Sequence, residues 1–327
     1  MGGMLVNHGI AVDMSVRIGP LMLPNPVGVA SGTFGYGEEY EELVNIDALG
    51  ALYTKAVTLE PRQGNPPPRL VETPMGLINS IGLANPGVEA FLRDKLPLLK
   101  KRKCAIIVNV AGSAEDDYAM VIRRIEEYLA AHPDTPQGVD AYEINVSCPN
   151  VHRGGMAFGT DPVLIERLTA ALRSCTSRAL IVKLSPNVTD IASMARAAEA
   201  GGADAVSCIN TVVGMAIDTS RCRPAIARGT GGLSGPAILP IGVAAVYRVS
   251  RAVAIPVIGL GGISSADDAL QYLLAGAVAV QIGTALFRNP RAAEEVLQGI
   301  SEWMIRHNVK SVTEIRSLLD DSMMRKT

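Results

Sequence analysis

Residues 143–150 read EINVSCPN, and this stretch carries the design that decides the fold. An apolar run ends in an asparagine, and Cys148 then follows beside a proline and a second asparagine. Short, nearly all-apolar runs are typical of strands buried on both faces of a parallel sheet. A thiol at the end of such a strand is open to ligand. Cys148 is therefore a candidate proton-transfer base that faces a small polar ring.

The same design recurs along the chain, where apolar runs alternate with helical ones. Strands are predicted at residues 27–30, 51–54, 105–108, 141–144, 180–182, 205–209, 256–258 and 278–282. Apolar residues between them recur with helical spacing, as from Tyr118 to Leu129 and from Ala266 to Leu274. Eight alternations of strand and helix predict an α/β fold, a closed (β/α)₈ TIM barrel. An open doubly wound sheet is the alternative.

Several segments lie outside this alternation. Residues 16–18 and 21–23, split by a Gly-Pro pair, predict an N-terminal β-hairpin, and residues 1–13 read as a flexible extension. The connections 56–87 and 212–236 are too long for simple loops, so they are either binding loops or structural insertions. Because no repeat or linker marks a second unit, residues 1–327 are interpreted as a single domain.

The composition excludes several classes of protein. A net charge of −2 and 19% charged residues give no support for binding nucleic acid or a membrane surface. The apolar runs are short, and no signal peptide is recognised. Five cysteines without C-x-x-C spacing argue against a disulfide framework or an iron–sulfur cluster within this chain. No metal site is expected, and the cytoplasm is the predicted location.

Polar residues follow the predicted strands where each one ends. In barrel enzymes the active site is built from these C-terminal ends. One asparagine or lysine there is more often a turn residue or a solvated end than a ligand. Together, however, these residues converge on one mouth: Ser31, Lys55, Asn109, Asn145, Lys183, Asn210, Thr211, Gly261, Gly262, Gly283 and Thr284.

The glycines after the last two strands indicate a phosphate site. Backbone N–H groups of glycine can approach a phosphate closely, although a plain tight turn is the simpler explanation. The GTGG run at residues 229–232 follows no predicted strand, so it matches a dinucleotide fingerprint poorly. A mononucleotide such as FMN fits better. Lys183 would then lie near the flavin, or else form a salt bridge inside the barrel.

Cys148 has three possible roles. A nucleophilic cysteine normally needs a histidine or a similar base beside it. His152 is close in sequence but is interpreted as a solvent-facing loop residue. A small buried hydrophobe is the third interpretation, and the neighbouring proline and asparagine argue against it. Proton abstraction is therefore the preferred role.

The motifs as a set resemble the dihydroorotate dehydrogenases, in particular the FMN-binding catalytic subunit of the NAD-linked two-subunit class (class IB). The resemblance spans roughly residues 14–291. It is carried by ASGTFG at 30–35, NSIGL at 79–83, NPG at 85–87, NVAG at 109–112, NVSCPN at 145–150, INT at 209–211 and GGLSGP at 231–236.

The resemblance implies oxidation of (S)-dihydroorotate to orotate in pyrimidine (UMP) biosynthesis. Cys148 would remove the C5 proton while hydride passes from C6 to N5 of FMN. It implies that FMN is held by Ser31, Lys55, Ala56, Asn109, Asn145, Lys183, Ile209, Gly235, Gly261, Gly262, Gly283 and Thr284. It implies substrate contacts from Lys55, Asn79, Ser80, Ile81, Gly82, Leu83, Asn145, Asn210 and Thr211.

The resemblance also implies a partner. Residues 82–87 and 230–236 look like the NAD-linked class more than the fumarate-linked one. To reach NAD+, the electrons would need a second subunit that carries FAD and a [2Fe–2S] cluster. The assembly implied is a heterotetramer with a homodimer of this chain as its core. The alternatives are a fumarate-linked dihydroorotate dehydrogenase, a dihydropyrimidine dehydrogenase-like flavoenzyme, and a non-catalytic barrel that binds a phosphate ligand.

Overall fold

Strands and helices alternate along the chain as the sequence pattern predicts. The computed structural model describes residues 4–7, 10–133, 138–147 and 158–322. The strands are β1 (Met4–Asn7), β2 (Ile10–Asp13), β3 (Val16–Ile18), β4 (Leu21–Leu23), β5 (Val27–Val29), β6 (Ala51–Tyr53), β7 (Leu70–Thr73), β8 (Gly76–Asn79), β9 (Ala105–Val110), β10 (Ala141–Asn145), β11 (Ala179–Lys183), β12 (Ala205–Cys208), β13 (Val212–Met215), β14 (Ile217–Asp218), β15 (Arg223–Pro224), β16 (Thr230–Ser234), β17 (Val257–Leu260) and β18 (Ala279–Ile282).

The helices mostly follow the barrel strands. They are α1 (Val88–Ala90), α2 (Leu96–Leu99), α3 (Glu115–Ala131), α4 (Pro162–Arg173), α5 (Ile191–Ala200), α6 (Leu239–Val249), α7 (Ala266–Ala275), α8 (Ala292–Arg306) and α9 (Val312–Ile315). Asp161 caps the start of α4, because its side chain accepts a hydrogen bond from Val163 N at 2.9 Å. None of the helices in the described ranges is long and apolar enough to span a bilayer.

Eight parallel strands close into a barrel in the order β5, β6, β9, β10, β11, β12, β17 and β18. The last strand pairs with the first, with Val280 opposite Val27. This closure confirms the predicted (β/α)₈ barrel and excludes the open sheet. Each predicted strand is present with its ends shifted by at most a few residues. Strand β9 continues to Val110, so Asn109 lies within a strand rather than after one.

The two long insertions pair with each other, which the sequence did not predict. They form a four-stranded antiparallel sheet in the order β13, β16, β8 and β7. Gly232 of β16 lies opposite Asn79 of β8. A hydrogen bond of 2.8 Å from Thr284 Oγ1 to Ser234 Oγ ties the end of β16 to the loop after β18. The insertion sheet therefore stands at the mouth of the barrel.

Two hairpins precede the barrel. The predicted hairpin is confirmed, because β3 and β4 pair with Val16 opposite Leu23. Strands β1 and β2 form a second antiparallel pair within the first thirteen residues. Asp13 N donates to Lys310 O at 2.8 Å, and Val12 is fully buried. The end of this segment is thus attached to the chain that follows α8.

Candidate active site

The interior of the barrel holds a carboxylate that sequence reasoning did not single out. Side chains of a strand alternate in direction, and the hydroxyl of Tyr142 reaches Glu126 on α3 at 3.0 Å. Glu143 therefore points inward, and it is completely buried. Four donors from four other strands meet it: Asn109 Nδ2 at 2.6 Å, Ser207 Oγ at 2.8 Å, Gln281 Nε2 at 2.8 Å and Lys183 Nζ at 3.4 Å. A buried charge requires such partners.

Lys183 forms an ion pair inside the barrel. Its side chain is buried, and its Nζ lies 3.4 Å from Glu143 Oε2. This was the second of the two interpretations left open for Lys183. The ion pair does not use all of the lysine's capacity, because an ammonium group carries three donors. Lys183 lies beside Asn145 in the strand register, so it is also at the mouth end of its strand.

Asn109 presents an acceptor that no group in the described part of the chain pairs with. A carboxylate accepts but does not donate, so the amide nitrogen of Asn109 must face Glu143. Its amide oxygen is then directed away, is buried, and has no hydrogen-bond partner among the described residues. The Oε1 atom of Gln281 is also buried and has no hydrogen-bond partner among the described residues. Unsatisfied buried acceptors are rare in native proteins, and here they fit a ligand with ring N–H groups.

A chain of amide contacts crosses the mouth. Asn210 Nδ2 donates to Asn145 Oδ1 at 3.2 Å, and Thr211 N donates to Asn210 Oδ1 at 2.8 Å. Asn79 Nδ2 donates to Gly232 O at 3.2 Å. A Cβ atom on Gly232 would overlap Thr211 Oγ1, so this glycine lets the insertion sheet approach Thr211. Four residues expected to contact the substrate are thus brought together from three segments of the chain.

The other residues expected to contact the substrate follow β8. Ser80 Oγ accepts a hydrogen bond from Asn65 Nδ2 at 2.8 Å. Gly82 has a φ of 74°, and Leu83 has a φ of 56°, a left-handed conformation that is uncommon for leucine. Such backbone strain clusters at ligand-binding sites. Ile81 lies between Ser80 and Gly82 and is half-buried.

Lys55 supplies a cation directly after β6. Its backbone N donates to Gly35 O at 2.8 Å, which joins the loops after β5 and β6. Burial, and then the positive charge of Arg69, lower the pKa of Lys55, while Glu39 acts in the opposite direction. The side chain is half-buried, and its neighbour Ala56 is buried. A partly desolvated ammonium of this kind suits an anionic ligand.

The glycines expected at a phosphate lie together. Gly261 has a φ of 123° and Gly262 a φ of 78°. A Cβ on Gly262 would lie 2.9 Å from Gly235 O, and a Cβ on Gly261 would lie 3.3 Å from Ile209 Cγ1. These four residues, all expected to contact FMN, therefore form one group. Gly283 follows β18, the strand that pairs with β17, and a Cβ on it would be 3.4 Å from Ala30 Cβ, next to Ser31.

The start of α7 has backbone N–H groups that are already hydrogen-bonded within the chain. Asp268 Oδ2 accepts hydrogen bonds from Ser264 N at 2.9 Å and Ser265 N at 3.0 Å. The carboxylate thus already satisfies two amides that a phosphate would otherwise use. The glycine loops after β17 and β18 remain as the better source of N–H groups.

Tyr272 on α7 holds the glycine loop after β17 through its hydroxyl group. Its hydroxyl donates to Gly261 O at 2.7 Å and lies 3.2 Å from Leu260 O. A Cβ on Gly242 would overlap this hydroxyl, and a Cβ on Gly259 would overlap the ring. Two glycines, one on α6 and one on β17, therefore leave the slot in which Tyr272 reaches the loop.

The residue predicted to be the base falls outside this description. Cys148, together with Pro149 and Asn150, lies outside the described residues. Its assignment rests on the sequence motif.

Comparison with known proteins identifies the family. A family model described as dihydroorotate dehydrogenase matches residues 14–304, most of the chain. The chain belongs to the dihydroorotate dehydrogenase family. The family predicted from the motifs is therefore confirmed.

Individual relatives agree with this assignment. A protein of Trichlorobacter lovleyi is 51% identical over 307 residues, which cover 94% of this chain and 98% of the relative. A protein of Bacteroides fragilis is 50% identical, with 94% and 99% covered. Both are named dihydroorotate dehydrogenase B (NAD(+)), catalytic subunit. These names favour none of the alternatives: the fumarate-linked enzyme, a dihydropyrimidine dehydrogenase or a non-catalytic barrel.

A solved structure confirms the fold. The crystal structure of DHODH from Eimeria tenella, in complex with ferulenol, superposes with a TM-score of 0.75. The two chains are 23% identical, and the match covers 93% of this chain and 87% of the other. At this identity the similarity supports the barrel architecture alone.

The family implies FMN on the catalytic subunit, and the residues at the mouth fit it. Gly261, Gly262 and Gly283 follow two adjacent barrel strands and offer backbone N–H groups to a phosphate, and Asn109 Oδ1 offers a buried acceptor to a ring N–H group. Sequence reasoning missed Glu143, Gln281 and Tyr272. The first two left a visible signal, because each is a polar residue inside an otherwise apolar strand.

Proposed function

We propose that this chain oxidises (S)-dihydroorotate to orotate in pyrimidine biosynthesis. Within the molecule, one observation carries the proposal: Asn79, Asn145, Asn210 and Thr211 converge at the mouth. Orotate is a planar ring with two carbonyls, ring N–H groups and a carboxylate. Amide side chains offer both donors and acceptors to such edges. Lys55 provides the cation for the carboxylate.

FMN is proposed to be held on two sides of the same mouth. When bound, it supplies the hydride acceptor for the reaction. Asn109 and Lys183 would contact its ring system, and both are buried at strands of the barrel. The N–H groups of Gly261, Gly262 and Gly283 would contact its phosphate. The remaining residues proposed for FMN are Ser31, Lys55, Ala56, Asn145, Ile209, Gly235 and Thr284.

Cys148 is proposed as the base that removes the C5 proton of dihydroorotate. The variant Cys148→Ala is expected to keep its yellow flavin, because the cofactor residues are unchanged. Dihydroorotate added without oxygen should no longer bleach it near neutral pH, whereas the natural protein bleaches. Cys222→Ala is the matched control, because Cys222 is exposed and distant in sequence from the motif. Bleaching of Cys148→Ala at the normal rate would reject this base.

We further propose that the electrons pass to NAD+ through a second subunit with FAD and a [2Fe–2S] cluster. The names of the relatives contain NAD(+) and catalytic subunit, which supports such a partner. The expected result is NAD+ reduction by dihydroorotate only when the second subunit is co-purified. NAD+ reduction by this chain alone would contradict the proposal.

A homodimer core is proposed within a heterotetramer. Val213 and Met215 of β13 are exposed apolar residues on one face of the insertion sheet. Light scattering should give the mass of a dimer, and Met215→Glu should weaken the association of the two copies.

We also propose the cytoplasm as the location. Cys104, Cys175, Cys208 and Cys222 are all free thiols, as expected in a reducing compartment.

A further inference from the structure

We propose that Glu143 is a positioning residue that sets the hydrogen-bond pattern and the charge which the barrel presents to the flavin. Glu143 itself is not expected to touch FMN. It acts through Asn109 and Lys183, which it contacts directly. The inference rests on the proposed function, because it requires FMN at this mouth.

Glu143 fixes the orientation of the Asn109 amide. Asn109 Nδ2 lies 2.6 Å from Glu143 Oε2, the shortest of the four contacts to this carboxylate. An asparagine amide can in principle turn over, but only its nitrogen can donate to a carboxylate. Glu143 therefore keeps Asn109 Oδ1 turned away from itself as an acceptor. Without the carboxylate, either end of the amide would be presented to the ligand.

Glu143 also places a negative charge beside Lys183. Reduced flavin carries negative charge, which a nearby cation stabilises and a nearby anion destabilises. The Lys183 ammonium and the Glu143 carboxylate lie 3.4 Å apart in a buried environment. Burial weakens screening, so both charges act on the mouth. Glu143 thus offsets part of the effect of Lys183 and holds the flavin potential below the value that Lys183 alone would give.

The surroundings of Glu143 allow a mild test. Besides Lys183, Glu143 influences Tyr53: burial, followed by the charge of Glu143, raises the pKa of Tyr53. In Glu143→Gln the shape is kept while the charge is lost. The Ser207 hydroxyl can accept as well as donate, and the Gln281 amide can turn over, so the new amide finds partners.

The expected result of Glu143→Gln is a higher midpoint potential of bound FMN. We expect the ratio of affinities for reduced and oxidised FMN to rise about tenfold, which equals about 30 mV for a two-electron couple. Ser207→Ala removes the hydroxyl that donates to the Glu143 carboxylate at 2.8 Å, so the negative charge of Glu143 is less well compensated. This second variant is expected to shift the potential the other way, by about twofold to threefold in the same ratio.

Glu126→Gln is the matched control. Glu126 is also a multiply bonded carboxylate, which accepts from Tyr142, Thr176 and Arg178, but it lies in the helix layer outside the barrel. The control is expected to lose stability without changing the potential. Potentials are measured by dye equilibration, and FMN affinity by titration of the apoprotein, so neither readout depends on turnover.

An unchanged or lower potential in Glu143→Gln overturns the inference. If that variant fails to hold FMN, Ser207→Ala decides, and a potential that is unchanged or raised in it overturns the inference. The measurements distinguish a failure of the proposed function from a failure of the role of Glu143. A natural protein that binds no FMN, or is not bleached by dihydroorotate, rejects the proposed function as well. A protein that is bleached normally, with potentials that do not move, rejects only the role of Glu143.

Discussion

Removal of the Tyr272 hydroxyl tests most directly how the glycine loop after β17 is held. Burial raises the pKa of Tyr272, so the hydroxyl is neutral and donates to Gly261 O at 2.7 Å. Tyr272→Phe removes this donor and nothing else, because the slot between Gly242 and Gly259 still accepts the ring. Leu260 O keeps its bond from Ile209 N at 2.8 Å. The perturbation is therefore confined to one carbonyl.

The magnitude follows from the loss of one buried hydrogen bond. A buried carbonyl that loses its donor destabilises the fold by about 1–3 kcal/mol. Without this hydrogen bond, the loop of the apoprotein can adopt conformations in which Gly261 O points in another direction. FMN binding must then restore the native loop conformation, which costs part of the binding free energy. We expect about 1–2 kcal/mol of the loss to appear in FMN binding, a factor of about 5–30 in Kd.

The assay pairs FMN titration of the apoprotein with urea unfolding. Tyr142→Phe is the control, because it removes an equivalent buried hydroxyl, one that donates to Glu126 at 3.0 Å on the helix side of the barrel. The control should lose stability and keep its FMN affinity. If Tyr272→Phe binds FMN as tightly as the natural protein, then Tyr272 is only a packing residue and the reasoning is refuted.

Three further predictions address other parts of the mouth. In Gly232→Ala the new methyl group displaces Thr211, so orotate affinity should fall about tenfold while FMN affinity holds, as measured by flavin difference spectra. The lowered pKa of Lys55 means that its positive charge is lost as pH rises, before the ordinary value of 10.5 is reached. Orotate binding should weaken over that range, and Lys55→Met should lack this dependence. Burial raises the pKa of Cys208 to about 12, so iodoacetamide at about pH 8 should label exposed Cys222 and spare Cys208 in peptide mass spectra; equal labelling would contradict this.

The barrel could be predicted because its signal is local. Each barrel strand is a short, mostly apolar run, and each such run is followed by polar residues that mark its end. The hairpin of β3 and β4 was equally visible, since Gly19 and Pro20 separate two apolar runs. These features need only neighbours in sequence.

The insertion sheet could not be predicted because its pairing is distant. Strand β16 is rich in glycine and shows no apolar alternation, so nothing in it points to β8. The interior carboxylate was missed for a related reason. Glu143 lies in the stretch that carries the strongest motif, yet its four donors come from four other strands, and their convergence exists only in three dimensions.

The insertion sheet also affects how the pocket is assembled. Asn79 and Gly232 are 153 positions apart, and their contact closes a loop that contains the barrel strands β9, β10, β11 and β12. Loops of this size are slow and entropically costly to close, so β8 and β16 should meet only after the strands between them are in place. A chain arrested halfway through folding would thus have a partial cylinder but no orotate pocket. Orotate should accordingly stabilise the finished protein and leave earlier intermediates untouched.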